Sequence, residues 1–358
     1  MKKDINRIAI LHTNLSGYMA ACQKKLKDLY DVELMVFCWE ASSDAPFSEE
    51  IYQHIDYSYI REEKSVGEIK NIVRSFDPGA LLIAGWADRG YLQVAREMRK
   101  RGVPVVSNLD RQWQGRGKQQ IARVIAPGYL WPAIDVLWVP GERQWEFAKR
   151  LGYSGKFCWH GMYACDWESF AEAEECHRSR ERAFLFAGRY APEKGVDTLI
   201  AAYRQYRHEV DDPWPLICAG AGEQVGLLQG EKGVRNKGFI QPDALPELFQ
   251  QVSAFVLPSK KEPWGVVIQE AAASRLPLIC SDACGATTHL LQNGYNGFRF
   301  ESGSVEGLAH CLMRMSQCAQ AEREEMGTRS YDLSKQFTPD RWAETLMRGL
   351  TELRQANS

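Results

Sequence analysis

Short runs of Val, Ile and Leu alternate with amphipathic stretches along the whole chain, the arrangement produced by βα units around parallel sheets. In the first half the apolar runs predict strands at residues 8–11, 32–38, 80–84, 103–107 and 135–139. Between the first two, Met19, Cys22, Leu26 and Leu29 recur at three- and four-residue steps, predicting a helix over residues 16–30 opened by a Ser16-Gly17 turn. A second series of apolar runs covers 183–187, 215–219, 253–257 and 277–281, each ending near Gly, Pro or Ser, where the ligand loops of open α/β sheets belong. The pattern therefore predicts two doubly wound α/β halves. Residues 163–182 are polar and acidic (Glu168, Glu172, Glu174, Glu175, Glu181) and read as a linker with a surface helix, which puts the boundary near Asp166. At the end, Thr338-Pro339 followed by Trp342, Leu346 and Leu350 predicts an amphipathic helix with a Thr cap and an apolar face that needs a partner.

Composition narrows the class. At 358 residues the chain exceeds the size at which one core usually stops growing, and its 45% apolar and 25% charged residues are those of a folded globular protein. Lys and Arg total 44 against 46 Asp and Glu, so the net charge of −2 supplies no general field for nucleic acid, and none is expected as a partner. Ten cysteines without a CxxC pair, and only a four-residue apolar run behind Met1-Lys2-Lys3-Asp4, read as reduced thiols and a cytoplasmic address. No apolar stretch approaches the roughly 20 residues of a membrane span, which leaves room for peripheral contact at the inner face of the membrane.

Three stretches carry candidate chemistry. In the run Pro258 to Ala271 a strand ends, a polar loop holds Glu262, Pro263 pre-sets a first helical turn, and Glu270 falls on the helix. Eight helical residues rise about 12 Å, too far for two carboxylates to share one reacting atom. Such a pair suits hydroxyls at the two ends of an elongated ligand, with the helix N-terminus at Gly265 and Val266 offering N–H groups to phosphates between them. A nucleotide sugar has that layout, although a capping Glu and a solvent-facing Glu would leave the same spacing. The second stretch, Gly188-Arg189-Tyr190-Ala191-Pro192-Glu193-Lys194-Gly195, offers Arg189 and Lys194 to a departing diphosphate, unless Glu193 or Asp197 simply pairs with them. The third, Ala219-Gly220-Ala221-Gly222-Glu223-Gln224-Val225-Gly226, is one residue too long for a dinucleotide fingerprint. Gly238-Phe239-Ile240 could hold a nucleobase or form an ordinary βα turn, and His12 reads more as structural than as catalytic. No Asp-x-Asp, HExxH or zinc-like spacing occurs, so neither a metal nor another cofactor is expected beyond the co-substrate.

The runs FAGRYAPEKGVDTLIAAY, ICAGAGE, KGFIQPDALPELFQQVSAFVLPS and EPWGVVIQEAAASRLPLICSDACGATTHLLQNGYNGF together resemble the donor-binding half of the retaining GT-B glycosyltransferases of family 4, without a break over about residues 183 to 315. The resemblance implies a GT-B architecture of two Rossmann-like domains facing a central cleft. It assigns residues 1–165 to acceptor binding, 166–336 to donor binding, and 337–358 to a helix returning to the first domain. It implies that Glu262 contacts the transferred sugar and Glu270 the ribose. Arg189 and Lys194 would neutralise the leaving diphosphate, helped by backbone N–H groups at Trp264, Gly265 and Val266. Gly188 and Gly17 would line the donor site, and Gly238, Phe239 and Ile240 would border the base. Members commonly carry a histidine where PVVSNLD places Asp110, a candidate helper base, and a glutamate where Thr287 or Thr288 now stands. The implied reaction moves a hexose-type sugar from a UDP- or GDP-sugar to a glycan or lipid-linked acceptor, in surface polysaccharide or lipopolysaccharide synthesis. Arg111, Trp113, Arg116 and Lys118 read equally as an acceptor loop or a solvated one. The alternatives are a nucleotide-sugar epimerase of the same architecture, a sugar-nucleotide-binding partner subunit, and a dinucleotide oxidoreductase.

Overall fold

Ile8, Ala9, Ile10 and Leu11 are wholly buried because strand β1 (Arg7–Leu11) runs inside a parallel sheet covered on both faces. The computed structural model describes residues 5–40, 52–172 and 180–356. These divide into two units, one of residues 5–40, 52–164 and 339–356 and the other of 165–172 and 180–338. Glu174 and Glu175 of the acidic linker lie outside the described residues.

In the first unit the chain runs β1, α1 (Gly17–Tyr30), β2 (Glu33–Cys38), β3 (Tyr57–Ile60), α2 (Val66–Phe76), β4 (Ala80–Ile83), α3 (Arg89–Lys100), β5 (Val105–Asn108), α4 (Gly117–Tyr129), β6 (Val136–Val139), α5 (Glu142–Arg150) and β7 (Cys158–His160). The sheet order is β3-β2-β1-β4-β5-β6-β7, parallel throughout. Local signals set the helix ends. Ser65 and Glu68 close a capping box at the start of α2, and Asp31 and Asp77 end α1 and α2 in the left-handed conformation that short polar side chains tolerate.

The second unit runs α6 (Trp167–Ala171), β8 (Glu181–Ala187), α7 (Val196–Glu209), β9 (Leu216–Ala219), β10 (Val234–Asn236), α8 (Leu245–Gln250), β11 (Val252–Leu257), α9 (Val266–Ala273), β12 (Leu278–Ser281), α10 (Thr287–Leu290), β13 (Gly297–Phe300), α11 (Val305–Gln317) and α12 (Gln320–Ser334). Its sheet order is β10-β9-β8-β11-β12-β13, again parallel. In both sheets the strand order reverses beside the first strand of the unit, which is the doubly wound topology.

Helix α13 (Pro339–Ala356) closes the first unit. Its Trp342, Ala343, Leu346, Leu350 and Leu353 join the core that α1 forms on one face of the sheet. The indole of Trp342 stacks on Trp138 of β6 at 4.9 Å between centroids and donates its Nε1–H to the Met162 carbonyl at 2.9 Å. Trp138 in turn meets Trp159 edge-on at 6.0 Å, and its own Nε1–H is held by the His160 carbonyl. Each ring thus buries its apolar body while its one polar atom keeps a partner. Trp342→Ala should lower unfolding free energy by about 3–5 kcal/mol through the cavity it opens, read as a fall in denaturant midpoint at constant m-value. A loss below 1 kcal/mol would show that α13 is not integral to this core.

Candidate functional site

Open parallel sheets bind ligands where the strand order reverses, because the loops leaving the two strands there run to opposite faces and splay apart. In the second unit the reversal falls between β8 and β11. Residues 188–195 leave β8 and residues 258–265 leave β11, and the two loops are fastened together. The N–H groups of Lys260 and Lys261 donate to the Glu193 carbonyl at 2.8 and 3.1 Å. Gly195 adopts φ +71°, and a Cβ there would lie 2.2 Å from the Pro258 carbonyl oxygen, so only glycine permits this approach. The loop after β12 joins them through Gly285 N–H to the Glu262 carbonyl at 3.1 Å and Ala286 N–H to the Trp264 carbonyl at 2.9 Å.

Glu262 is only 8% exposed. Its carboxylate is paired with the Lys194 ammonium and lies 3.4 Å from the Ser259 hydroxyl. Ser281 at the end of β12 donates to the Ser259 carbonyl and holds that turn. Lys194 and Glu262, 68 residues apart in sequence, are therefore in direct contact. Arg189 is half exposed and pairs with Glu193 at 2.8 Å, and Lys260 pairs with Asp197. Among the roles that sequence reasoning did not foresee are those of Ser259, three residues before Glu262, and Lys260, which brings a third cation to the same loops.

Pro263 does not enter the first turn of α9. The helix begins at Val266, because Gly265 at φ +96° forms a left-handed N-cap, and Trp264 is buried beneath it. The opening N–H groups of α9 at Val266 and Val267 have no acceptor within the helix. Glu270 sits half-buried in the second turn. Burial, reinforced by the charge of Asp166 at the start of α6, pushes its carboxyl up to about 7. Thr287 is buried and its hydroxyl donates to the Cys284 carbonyl at 2.6 Å, whereas Thr288 is exposed.

The glycines after β9 serve packing. Gly220 is positioned so that a Cβ would fall 1.9 Å from the Gly188 carbonyl oxygen, and its N–H donates to the Gly238 carbonyl at 2.7 Å. Gly188, Gly220 and Gly238, with half-buried Phe239 and Ile240 following, thereby stack the loops after β8, β9 and β10 side by side. Asn236 holds this stack by accepting from the Tyr190 hydroxyl and from Gly238 N–H.

In the first unit, Gly17 is the first residue of α1, and Asp110 lies two residues beyond β5 with an exposed side chain and its carbonyl bonded by Gln144. His12, just beyond β1, is buried, which lowers its pKa to about 4 and leaves the imidazole neutral at pH 7. The Arg111–Lys118 loop is tied down: Trp113 packs on Phe147 at 5.5 Å beneath the Arg150 guanidinium, and Gln119 bonds Gln112 and Gln114. Among the described residues no three His, Cys, Asp or Glu side chains gather in a metal-binding cluster.

Residues 169–332 match the family described as glycosyl transferases group 1. The second unit belongs to that family. An uncharacterised glycosyltransferase of Methanocaldococcus jannaschii is 32% identical over 126 residues, 33% of this chain and 31% of that protein. The O-antigen chain mannosyltransferase B of Escherichia coli is 28% identical over 163 residues, 43% and 42% of the two chains. The chain thus spans about a third to two-fifths of the length of these curated relatives. The crystal structure of Anabaena HepE in complex with UDP and glucose superposes over 97% of this chain and 99% of that one, with a TM-score of 0.74 at 17% identity. The fold of the chain is GT-B.

The raised Glu270 carboxyl has a consequence for stability. Its folded pKa lies above the unfolded value, so the folded state binds the extra proton between about pH 4.5 and 7, and stability falls as pH rises through that window. Glu270→Gln removes the ionisation and should be the more stable form at pH 8, by about 1–3 kcal/mol, with the advantage narrowing toward pH 4.5. Melting curves across that range would expose a pH-independent difference, which would refute the assignment.

Proposed function

We propose that the protein is a retaining glycosyltransferase that moves a hexose-type sugar from a UDP- or GDP-sugar to a hydroxyl of a glycan or lipid-linked acceptor, in surface polysaccharide or lipopolysaccharide synthesis. The observation that carries this reading is the contact of Lys194 with Glu262 at the strand-order reversal of a group 1 domain, with Arg189, the α9 N-terminus and Glu270 on the adjoining segments. Anabaena HepE, of the same fold, holds UDP and glucose, which supports a nucleotide sugar as the donor.

Each group has a physical task in that reaction. The glycosidic C–O bond breaks with its electron pair passing to the diphosphate, whose growing charge Lys194, Arg189 and the α9 N-terminus stabilise more in the transition state than before it. Glu262, acceptor-only when ionised, receives hydrogen bonds from the sugar hydroxyls, and Glu270 receives them from the ribose. The acceptor hydroxyl attacks from the face the leaving group vacates, its proton passes to the departing diphosphate, and Asp110 is the candidate helper from the first unit. The base is bordered by Gly238, Phe239 and Ile240, with Gly188 at the phosphates and Thr287 or Thr288 as the neutral contact. The chain's own residues need no metal or other cofactor for these steps.

Arg189 offers the clean test, since Lys194→Ala would also strand the buried Glu262 and cost about 3–5 kcal/mol of stability. Arg189→Ala should keep the wild-type melting temperature and lower turnover of UDP- or GDP-sugar with acceptor by more than about tenfold, or ~1.4 kcal/mol. Either nucleotide should raise the wild-type melting temperature, and Glu270→Ala should abolish the rise. Stabilisation by NAD alone, or a product formed from the donor without acceptor, would overturn the reading in favour of an oxidoreductase or an epimerase.

A further inference from the structure

Of the three paired cations on the loops after β8 and β11, the proposed reaction uses Arg189 and Lys194 and leaves Lys260 idle. The backbone at Lys260 is fixed without help from its side chain, because the Lys260 and Lys261 N–H groups donate to the Glu193 carbonyl at 2.8 and 3.1 Å. The side chain then lies against the glycine that opens α7: Lys260 Cγ is 3.7 Å from where a Cβ on Gly195 would stand, one residue beyond Lys194. From there its ammonium reaches Asp197 in the first turn of α7. Burial pushes the Asp197 carboxyl up, but Lys260 and the Thr198 N–H outweigh it and hold the group below its ordinary value. The pair does little for the fold. Its side chains are 39% and 46% exposed, against 18% and 9% for Lys194 and Glu262. Exposed pairs contribute little to stability, and the same segments are already joined by backbone hydrogen bonds and by the approach of Gly195 to Pro258. What the pair does is cancel a positive charge that would otherwise stand open beside Lys194.

We propose that Lys260 is a further diphosphate-binding cation and that Asp197 is its placeholder, releasing the ammonium when the diphosphate of the donor arrives. The proposal rests on the transferase reading, which assigns a diphosphate to Arg189 and Lys194. A lysine suits such an exchange. Its charge is compact and its four-carbon stem flexible, so with the stem seated at Gly195 the ammonium turns from Asp197 toward Lys194 without moving the backbone. The exchange is also favourable in charge, since one exposed ion pair opens at small cost and the ammonium gains the larger negative charge of a diphosphate in place of a single carboxylate. Asp197, left behind, keeps the Thr198 N–H and the positive end of the helix dipole. Lys194 is barred from the same exchange, because leaving Glu262 would strand a buried carboxylate. In the ligand-free protein Asp197 therefore competes with the diphosphate, and its carboxylate lowers the affinity that an open Lys260 would give.

Titration calorimetry of the full chain with UDP and with GDP tests the exchange. Lys260→Met keeps a stem over Gly195 and removes the charge, and it should weaken the nucleotide that binds wild type by about fivefold or more. Asp197→Asn frees the ammonium and should tighten that nucleotide by about two- to fivefold, the range that opening an exposed pair allows. In the Lys260→Met background Asp197→Asn should change nothing further, since its effect passes through Lys260. Both side chains are exposed, so neither substitution disturbs the core. A merely structural pair predicts the opposite sign for Asp197→Asn, and weakened binding in that variant would overturn the proposal. Tightening by Asp197→Asn that persists without Lys260 would also overturn it, by reducing Asp197 to a distant negative charge, as would unchanged binding in Lys260→Met. Any of these results, with a nucleotide bound by wild type, removes the placeholder alone and leaves the transferase reading standing. Failure of both nucleotides to bind wild type would overturn that reading and this proposal with it.

Discussion

A carboxylate withdrawn from water costs several kcal/mol unless a cation and hydrogen-bond donors meet it, and the arrangement around Glu262 follows from that requirement. Lys194 and the Ser259 turn meet it. Because Lys194 leaves β8 and Glu262 leaves β11, their contact fixes the two loops at the place where the strand order reverses. The Glu193 carbonyl, bonded by two N–H groups of the other loop, makes the same join in the backbone. The neighbouring ion pairs, Arg189 with Glu193 and Lys260 with Asp197, are solvent-exposed, and such pairs are worth at most about 1 kcal/mol. Three cations thus stand beside three carboxylates, so in the proposed reaction a diphosphate would meet little net field until a pair opened. The exposed pairs can open at small cost while the buried one holds the loops in place. Arg189 and Lys260 are therefore the cations that a ligand would most readily recruit, and Lys194 would act from a fixed position.

The interior of both sheets was legible in the sequence, and their rims were not. Each predicted strand lies within two residues of an observed one, since a strand with neighbours on both sides and helices on both faces must be a continuous apolar run. Strands β3, β7, β10 and β13 went unread, and they are the four edges. The Tyr57–Ile60 edge is exposed along most of its length, Cys158–His160 and Val234–Asn236 have three residues each, and Gly297–Phe300 alternates with Arg299 facing out. An edge strand is half solvated, so its polar residues erase the signal that burial imposes on the others.

At the candidate site, residue types and spacing pointed to the loops, but the pairing within them was hidden. Glu262 and Glu270 do fall on separate segments, one before α9 and one inside it. Nothing in the spacing shows that Lys194 rather than Arg189 meets Glu262, because 68 residues and two strands intervene. Nor does it show that Asp166 lies close enough to lift the Glu270 carboxyl. Pro263 suggested an earlier helix start than the structure has, since a left-handed cap at Gly265 is a tertiary outcome: the chain must turn there to bury Trp264. The glycine run after β9 only nearly matches a dinucleotide fingerprint, and Gly220 is a glycine because the Gly188 carbonyl occupies the space a Cβ would need.

Helices α4 and α13 resolve the same conflict in opposite ways. In α13 the large apolar residues Trp342, Leu346 and Leu350 lie on one stripe, and α1 and the sheet cover it. In α4 the core accepts only Ala122 and Ala126 from that helix's middle turns, so Ile121, Val124 and Ile125 project into solvent. Transferring one such side chain out of water is worth about 1.5–3 kcal/mol, which this fold leaves unused at three adjacent positions. Single exposed aliphatic residues are ordinary on protein surfaces, but three on one helical stripe, in a segment with no acid for 24 residues, form an amphipathic element whose apolar face is left uncovered among the described residues.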